Sequence, residues 1–327
     1  MAPEGAPPRP PLTWVVGAGG LLGHHVRDQA AARGPVLSGP TIPWSRPLAA
    51  RAALREAAER LVAESAGGTW QVLWCAGSGV TGTSRTDLDD ELAALRACLD
   101  GLGRAAIGSG TVFLASSVGG VYAGVGSPPY TENSPVLPLA DYGRAKIEAE
   151  GIVERWAQAH GQRALVGRIA NLYGPGQNLA KPQGLVSQLC AAHLTRRPLT
   201  IWVSLDTRRD YIYAPDCAAL VLDCLERARV DVGEGQTVLK LLGSQRALSI
   251  GAILGELRRV FRSKSTIILG ASPVSALQAR DLSMRSVVWP ELDHRPMTPF
   301  PAGVAATLQD LRLRMQHGDV SAEARRP

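Results

Sequence analysis

The chain has 327 residues, 45% hydrophobic and 20% charged, with a formal net charge of +6. That is enough apolar material for one large domain or two around an ordinary core. There is no apolar run of the roughly 18 residues that span a membrane, and the opening MAPEGAPPRPP lacks the basic and apolar regions of a signal peptide. The five cysteines form no CxxC or other ligand spacing, so a reduced, cytoplasmic protein without a metal is expected. Aromatics at 5% and dispersed arginines argue against a nucleic-acid partner and point to a small anionic ligand.

In chain order, residues 1–11 read as a disordered, proline-rich lead-in. Leu12-Thr13-Trp14-Val15-Val16 is a short apolar strand, and Gly17-Ala18-Gly19-Gly20-Leu21-Leu22-Gly23 follows at once, then a helix to about Arg33. Strand, glycine turn and helix in succession let backbone amides and a helix N-terminus approach a pyrophosphate. Gly17, Gly20, Leu21, Leu22 and Gly23 are therefore expected to hold a dinucleotide. The spacing is Gly17-x-x-Gly20-x-x-Gly23 rather than GxGxxG, because residue 22 is leucine. His24 and His25, in the first helical turn, read as surface or packing residues near the phosphates.

A second strand is expected within Pro35–Trp44. A free ribose 2′-hydroxyl usually meets an acid at the end of that strand, yet none stands between Asp28 and Glu56. Ser45 and Arg46 stand there instead, and Arg46 is a candidate partner for a 2′-phosphate. A helix over Arg51–Ser65 leads to a buried strand, Gln71-Val72-Leu73-Trp74-Cys75-Ala76-Gly77, whose small end (Ala76, Gly77) suits a backbone passing under a cofactor. Leu88, Leu92, Leu95, Leu99 and Leu102 then form one apolar stripe, either core or an oligomer face.

Thr111–Ala115 is another core strand, ending in Ser116-Ser117. A hydroxyl at the C-terminal end of a central parallel strand lies where open α/β sheets hold ligands. The helix beginning Asp141-Tyr142-Gly143-Arg144-Ala145-Lys146 places Tyr142 and Lys146 one turn apart on one face. An ammonium beside a phenol favours the phenolate, giving an acid or base usable near neutral pH. The strand Ala164–Ile169 runs on into Asn171-Leu172-Tyr173-Gly174-Pro175-Gly176. Trp202–Tyr213 reads as strand, loop, strand, so Arg208 and Arg209 point in opposite directions.

Five stretches, VVGAGGLLG, ASSVGGVYAG, DYGRAKIEAE, RIANLYGPG and RRDYIYAPDCA, resemble, in this order, the extended short-chain dehydrogenase/reductases, the NAD-dependent epimerase/dehydratase group that acts on nucleotide-sugars. The resemblance implies an α/β fold: a doubly wound, Rossmann-like parallel sheet over residues 12–175, joined by strands returning from the C-terminal half. A smaller α/β substrate lobe over 176–315 and a frayed tail over 316–327 would follow. It implies NAD or NADP as cofactor, leaning to NADP because of the missing acid, with Tyr173 near it. Tyr142 would be the acid/base, and Lys146 would tune the phenol and hold the nicotinamide ribose. The polarising serine of many relatives falls on Val118 here, so Ser117 is taken for that role, with Ser116 behind it. Asn171 and Arg209 would contact the nucleotide-sugar, with Asp210 orienting the Arg209 fork.

Thr237–Gly243 and a helix over Ile250–Phe261 look like a strand and helix of the second lobe. Arg280 is a further phosphate candidate. Ser117 is followed by Val118-Gly119-Gly120 and not by the Asp-Glu pair of the dehydratases, so the expected chemistry is hydride transfer at C4, as 4-ketoreduction or 4-epimerisation. Relatives commonly dimerise, and a homodimer is expected. A reductase of a non-sugar ketone and a catalytically idle cofactor-binding scaffold remain as alternatives.

Overall fold

The computed structural model describes residues 9–105, 108–180, 184–263, 266–270 and 279–318. Residues 1–8 of the expected lead-in and 319–327 of the expected tail lie outside them. The elements in order are β1 (Leu12–Val16), α1 (Leu21–Ala31), α2 (Pro47–Glu64), β2 (Trp70–Trp74), α3 (Arg85–Ala105), β3 (Gly110–Ser117) and α4 (Val118–Val121). Next come α5 (Asp141–His160), β4 (Arg163–Ile169), β5 (Asn171–Tyr173), α6 (Leu185–Thr195), β6 (Leu199–Ile201), β7 (Arg208–Tyr213) and α7 (Ala214–Asp231). The chain continues through β8 (Thr237–Leu242), β9 (Ala247–Ser249), α8 (Ile250–Phe261), β10 (Ile267–Leu269), β11 (Asp281–Leu282), α9 (Pro290–Asp293) and α10 (Phe300–Gln316).

The main sheet is parallel throughout, in the order β1-β2-β3-β4-β8. Its strands are apolar on both faces because helices cover both. Trp14, Val16, Val72, Trp74, Val112 and Leu114 point to the side of α2, α3 and α5. Val15, Leu73, Phe113, Leu165 and Leu242 point to the side of α1 and α7. This is the doubly wound α/β fold that the sequence suggested. All five leucines of the α3 stripe are buried in the first of these cores, so the stripe packs inside its own chain and leaves no apolar oligomer face there.

Two expectations need correction. No strand forms within Pro35–Trp44; Val36 makes a single parallel bridge to Thr13, at the open edge of β1. Pro35, Pro40 and Pro43 each lack the N–H that a longer ladder needs. The Thr237–Leu242 strand, β8, belongs to the main sheet and not to the second lobe, pairing with β4 along six residues.

The smaller lobe is built from short pieces. β6 pairs with β10, while β7 joins β5, β11 and, antiparallel, β9. Its core gathers Val186, Leu189, Ile253, Leu257, Val304 and Leu311 from α6, α8 and α10. A buried lysine ties the C-terminal segment to the main sheet. Lys240 on β8 is fully buried and donates to Ser286 Oγ (2.8 Å), the Val288 carbonyl (2.7 Å) and Asp293 Oδ2 (2.8 Å).

Candidate active site

A cleft of about 1180 Å³ runs from the glycine turn after β1, across the C-terminal ends of β2, β3 and β4, to the small lobe. The turn is tight for a stated reason. Gly17 sits at φ +86°, and a Cβ on Gly23 would lie 2.1 Å from the Gly17 carbonyl oxygen, so only glycine lets α1 start this close to the strand. Gly20, Leu21 and Leu22 consequently present the open N-terminus of α1 to the cleft. His24 Nδ1 lies 2.8 Å from the Gly20 carbonyl and His25 Nε2 lies 3.3 Å from that of Pro175. Burial, then the neighbouring His24, pushes the His25 imidazole down to about 4, so His25 is a neutral packing residue.

Tyr142 lies in the first turn of α5, which ends at Gly161 in the left-handed conformation. That first turn approaches α4 closely: a Cβ on Gly143 would stand 2.0 Å from the Gly120 carbonyl oxygen. Lys146 Nζ is 5.6 Å from the Tyr142 ring centroid and donates to the Ala115 carbonyl at 3.4 Å. Ser117, at the end of β3, caps α4, its oxygen accepting the Gly120 amide at 3.2 Å. The hydroxyl hydrogen therefore remains to donate into the cleft, which Ser117, Tyr142 and Lys146 all line.

Ser116 is used differently. Its hydroxyl donates to Glu150, two turns past Tyr142 on the same face of α5, and Glu150 holds Arg168 with both oxygens (3.0 and 2.7 Å). Arg168 in turn donates to Tyr122 Oη at 2.6 Å. Burial opposes the Arg168 charge, but Glu150 outweighs it and holds the guanidinium above its ordinary value. This network pins α5 to β3 and β4, and Ser116, while tied into it, also lines the cleft.

At the other end, strand alternation separates Arg208, whose side chain is half exposed, from Arg209, which is buried and lines the cleft. The Arg209 guanidinium donates to the Arg208 carbonyl at 2.8 Å. It makes no salt bridge with a carboxylate among the described residues, and burial lowers its affinity for its proton. Asp210 does not orient that fork. It points to the opposite side of β7, accepting from the Ser244 amide (2.7 Å) and the Arg246 amide (2.9 Å). Asn171 lines the cleft and donates to the Asp210 carbonyl at 3.1 Å.

Ala76 and Gly77 line the cleft as expected. Gly17 and Gly23 shape the turn without lining the cleft, and Tyr173, Arg46 and Arg280 do not line it either. Tyr173 is buried among the rings of Tyr211, Tyr213 and Phe300, because β5 turns its side chain into the lobe core. Arg46 is exposed at the N-cap of α2. Arg280 is exposed and pairs with Asp206. Sequence reasoning missed two residues, one lining the cleft and one behind its loop. Arg314, on α10, lines the cleft and donates to the Gln177 carbonyl at 2.9 Å. Glu91, on α3, receives two amides of the loop after β2. Neither belongs to a recognisable local pattern. Among its described lining residues the cleft has three cations, Lys146, Arg209 and Arg314, and no carboxylate.

The chain is 26% identical over 210 residues to dTDP-4-dehydro-6-deoxyglucose reductase of Escherichia coli, covering 62% of each chain. It is 33% identical over 190 residues to UDP-glucose 4-epimerase of Azospirillum brasilense, covering 54% of this chain and 51% of the relative. The alignments thus span about half to three-fifths of these curated relatives. The structure of UDP-glucose 4-epimerase from Thermotoga maritima with UDP-glucose shares the fold, with a TM-score of 0.74 at 19% identity over 93% of this chain and 99% of that one. The family model for the NAD dependent epimerase/dehydratase family matches residues 13–238. Well over half of the chain is matched, and the chain belongs to that family.

Proposed function

We propose that this protein moves a hydride between a nicotinamide cofactor and a secondary alcohol or ketone carbon of a nucleotide-linked sugar, at C4. The observation that carries this reading is the sign of the cleft: three cations and no carboxylate among the described lining, with Tyr142, Lys146 and Ser117 all lining it. A buried guanidinium without a carboxylate partner favours an anionic ligand strongly, and a diphosphate meets its fork geometry. The relatives supply the class, one a reductase of a dTDP-sugar and others UDP-glucose 4-epimerases.

The residues present fit the cofactor. Gly20, Leu21 and Leu22 at the α1 N-terminus would hold the pyrophosphate, and Ala76, Gly77 and Lys146 would face the nicotinamide half. When bound, that group donates or accepts the hydride. Tyr142 moves the matching proton: in reduction, the C=O π bond opens, the carbon gains the hydride and the oxygen takes the phenolic proton. Ser117 hydrogen-bonds the same oxygen, and Lys146 stabilises the negative charge left on the phenol. Epimerisation takes the hydride from one face of the carbon and returns it to the other. Beside Ser117, Val118 is buried and residues 119 and 120 are glycines, so no side chain stands ready for the elimination half of 4,6-dehydration. We favour 4-ketoreduction over 4-epimerisation on the missing acid near Arg46, which suits NADPH.

The same reading includes a homodimer, as is common among relatives, but not through the α3 leucine stripe, which is buried in its own chain. A monomer mass that does not change with concentration would remove the dimer. The substrate is tested by mass spectrometry of small molecules released from the purified protein, followed by NAD(P)H-monitored turnover on UDP-, dTDP- and GDP-linked sugars and their 4-keto forms. If no nucleotide diphosphate binds at millimolar concentration, the nucleotide-sugar reading fails and a non-sugar ketone takes its place.

A further inference from the structure

Beside Tyr142 and Lys146 the cleft is lined by a stretch of irregular backbone, and one carboxylate holds it. Residues 75–84 connect β2 to α3 without regular structure, and Cys75, Ala76, Gly77, Gly79 and Thr81 all line the cleft. Glu91, half-buried on the second turn of α3, reaches back to this loop. Its Oε1 accepts the Ser78 amide at 2.6 Å, the Ser78 hydroxyl at 3.0 Å and the Gly79 amide at 3.0 Å. One side-chain oxygen thus meets three donors of a loop that has no regular pairing, at a reach that the full glutamate side chain spans.

That loop touches the chemistry. A Cβ placed on Gly79 would stand 3.3 Å from Tyr142 Cδ2, and one on Gly77 would stand 3.6 Å from Lys146 Nζ and 3.5 Å from Glu91 Oε2. The loop backbone is therefore the surface on which the Tyr142 ring rests, with Glu91 behind it. We propose that Glu91 is a positioning residue for the Tyr142–Lys146 pair, acting by fixing the Ser78–Gly79 backbone beneath the ring. Glu91 itself takes no part in proton or hydride transfer. This inference rests on the reading of Tyr142 as the acid/base.

Two conservative variants separate reach from charge. Glu91→Gln keeps an acceptor oxygen at the same distance; Glu91→Asp keeps the charge and withdraws it by one methylene. Misplacement by about 1 Å can cost a reacting pair on the order of 10²-fold. Glu91→Asp should therefore lower kcat about tenfold or more with KM for the cofactor within about threefold, and Glu91→Gln should stay within about threefold in both. Hydrogen–deuterium exchange on the loop peptide should accelerate in Glu91→Asp and stay parental in Glu91→Gln. The ¹⁹F signal of Tyr142 in fluorotyrosine-labelled protein, assigned through Tyr142→Phe, should shift in the first variant only. The exchange and ¹⁹F readings need no substrate, so they decide the clamp even if the nucleotide-sugar reading fails. A Glu91→Asp enzyme with parental kcat or an unmoved Tyr142 signal overturns the proposal. So does a Glu91→Gln enzyme that falls as far as Glu91→Asp, because charge and not reach would then be what matters.

Discussion

The sheet half and the small lobe reach order by different routes. β1 to β4 follow one another in the chain and pair with their sequence neighbours, each strand running five to eight residues. The lobe's strands are two to six residues long and pair across large gaps: Leu199 with Ile267, Arg208 with Asp281, Arg209 with Leu248. Long apolar strands buried on both faces announce themselves, whereas two- or three-residue strands exist only because tertiary packing brings their partners close. The glycine turn and the Tyr142–Lys146 pair stand on the first kind of structure. Arg209, on β7, stands on the second, and Arg314 reaches the same end of the cleft from α10. The glycine turn and the Tyr142–Lys146 pair are accordingly the readable part of the cleft, and its small-lobe end is the part that folding assembles.

Four substitutions and one control, Arg208→Ala, test that division, from the largest effect to the smallest. Lys240→Met strikes the seam between the main sheet and the C-terminal segment and leaves the Asp293 carboxylate buried without its cation. Breaking a buried pair in this way costs about 3–5 kcal/mol, to be read from urea unfolding. A loss under about 1 kcal/mol would show that apolar packing, and not this pair, joins the two regions. Tyr142→Phe should lower turnover by about 10² or more, as for any positioned acid/base, with nucleotide diphosphate and NAD(P) affinities unchanged. Activity within a few-fold of the parent would remove Tyr142 from the chemistry.

Arg209→Ala should do the reverse. Loss of a charge-assisted contact to a diphosphate weakens nucleotide diphosphate binding by about ten- to a hundredfold and leaves NAD(P) affinity alone, as measured by calorimetry. Arg208→Ala, on the outward face of β7, should change little, and equal losses at both positions would contradict the alternation argument. Apart from the Arg208 control, Arg46→Ala should have the smallest effect, an erosion of roughly several-fold in the preference for NADP over NAD. Equal affinities for the two cofactors in the parent protein would end the 2′-phosphate assignment.

Several expectations went astray for reasons that can be named. Pro35–Trp44 has the apolar residues of a strand, yet its prolines remove the donors, and a single bridge at Val36 is what remains. Asp210 follows Arg209 directly and so reads as a natural orienting partner, but neighbours along a strand point to opposite faces. The seven-residue leucine spacing of α3 is the same whether a helix packs on its own sheet or on another chain, and only the positions of α2 and α5 show that it is core.

What the sequence by itself determined are features whose geometry is set within a few residues: strand, glycine turn and helix at residues 12–33, the one-turn spacing of Tyr142 and Lys146, and Ser117 at a strand end. Backbone geometry places such groups without help from the rest of the chain. Only the tertiary structure decided which distant groups meet them. It brought Glu91 under the loop that supports Tyr142, Glu150 and Arg168 beneath α5, Arg314 to the cleft, and Lys240 to Asp293 across 53 residues. A carboxylate on α3 or an arginine on α10 has no local pattern that distinguishes it from the many solvated charges of the same type. Its role comes from the packing that buries it beside a particular amide or cation, and that packing is a property of the whole fold.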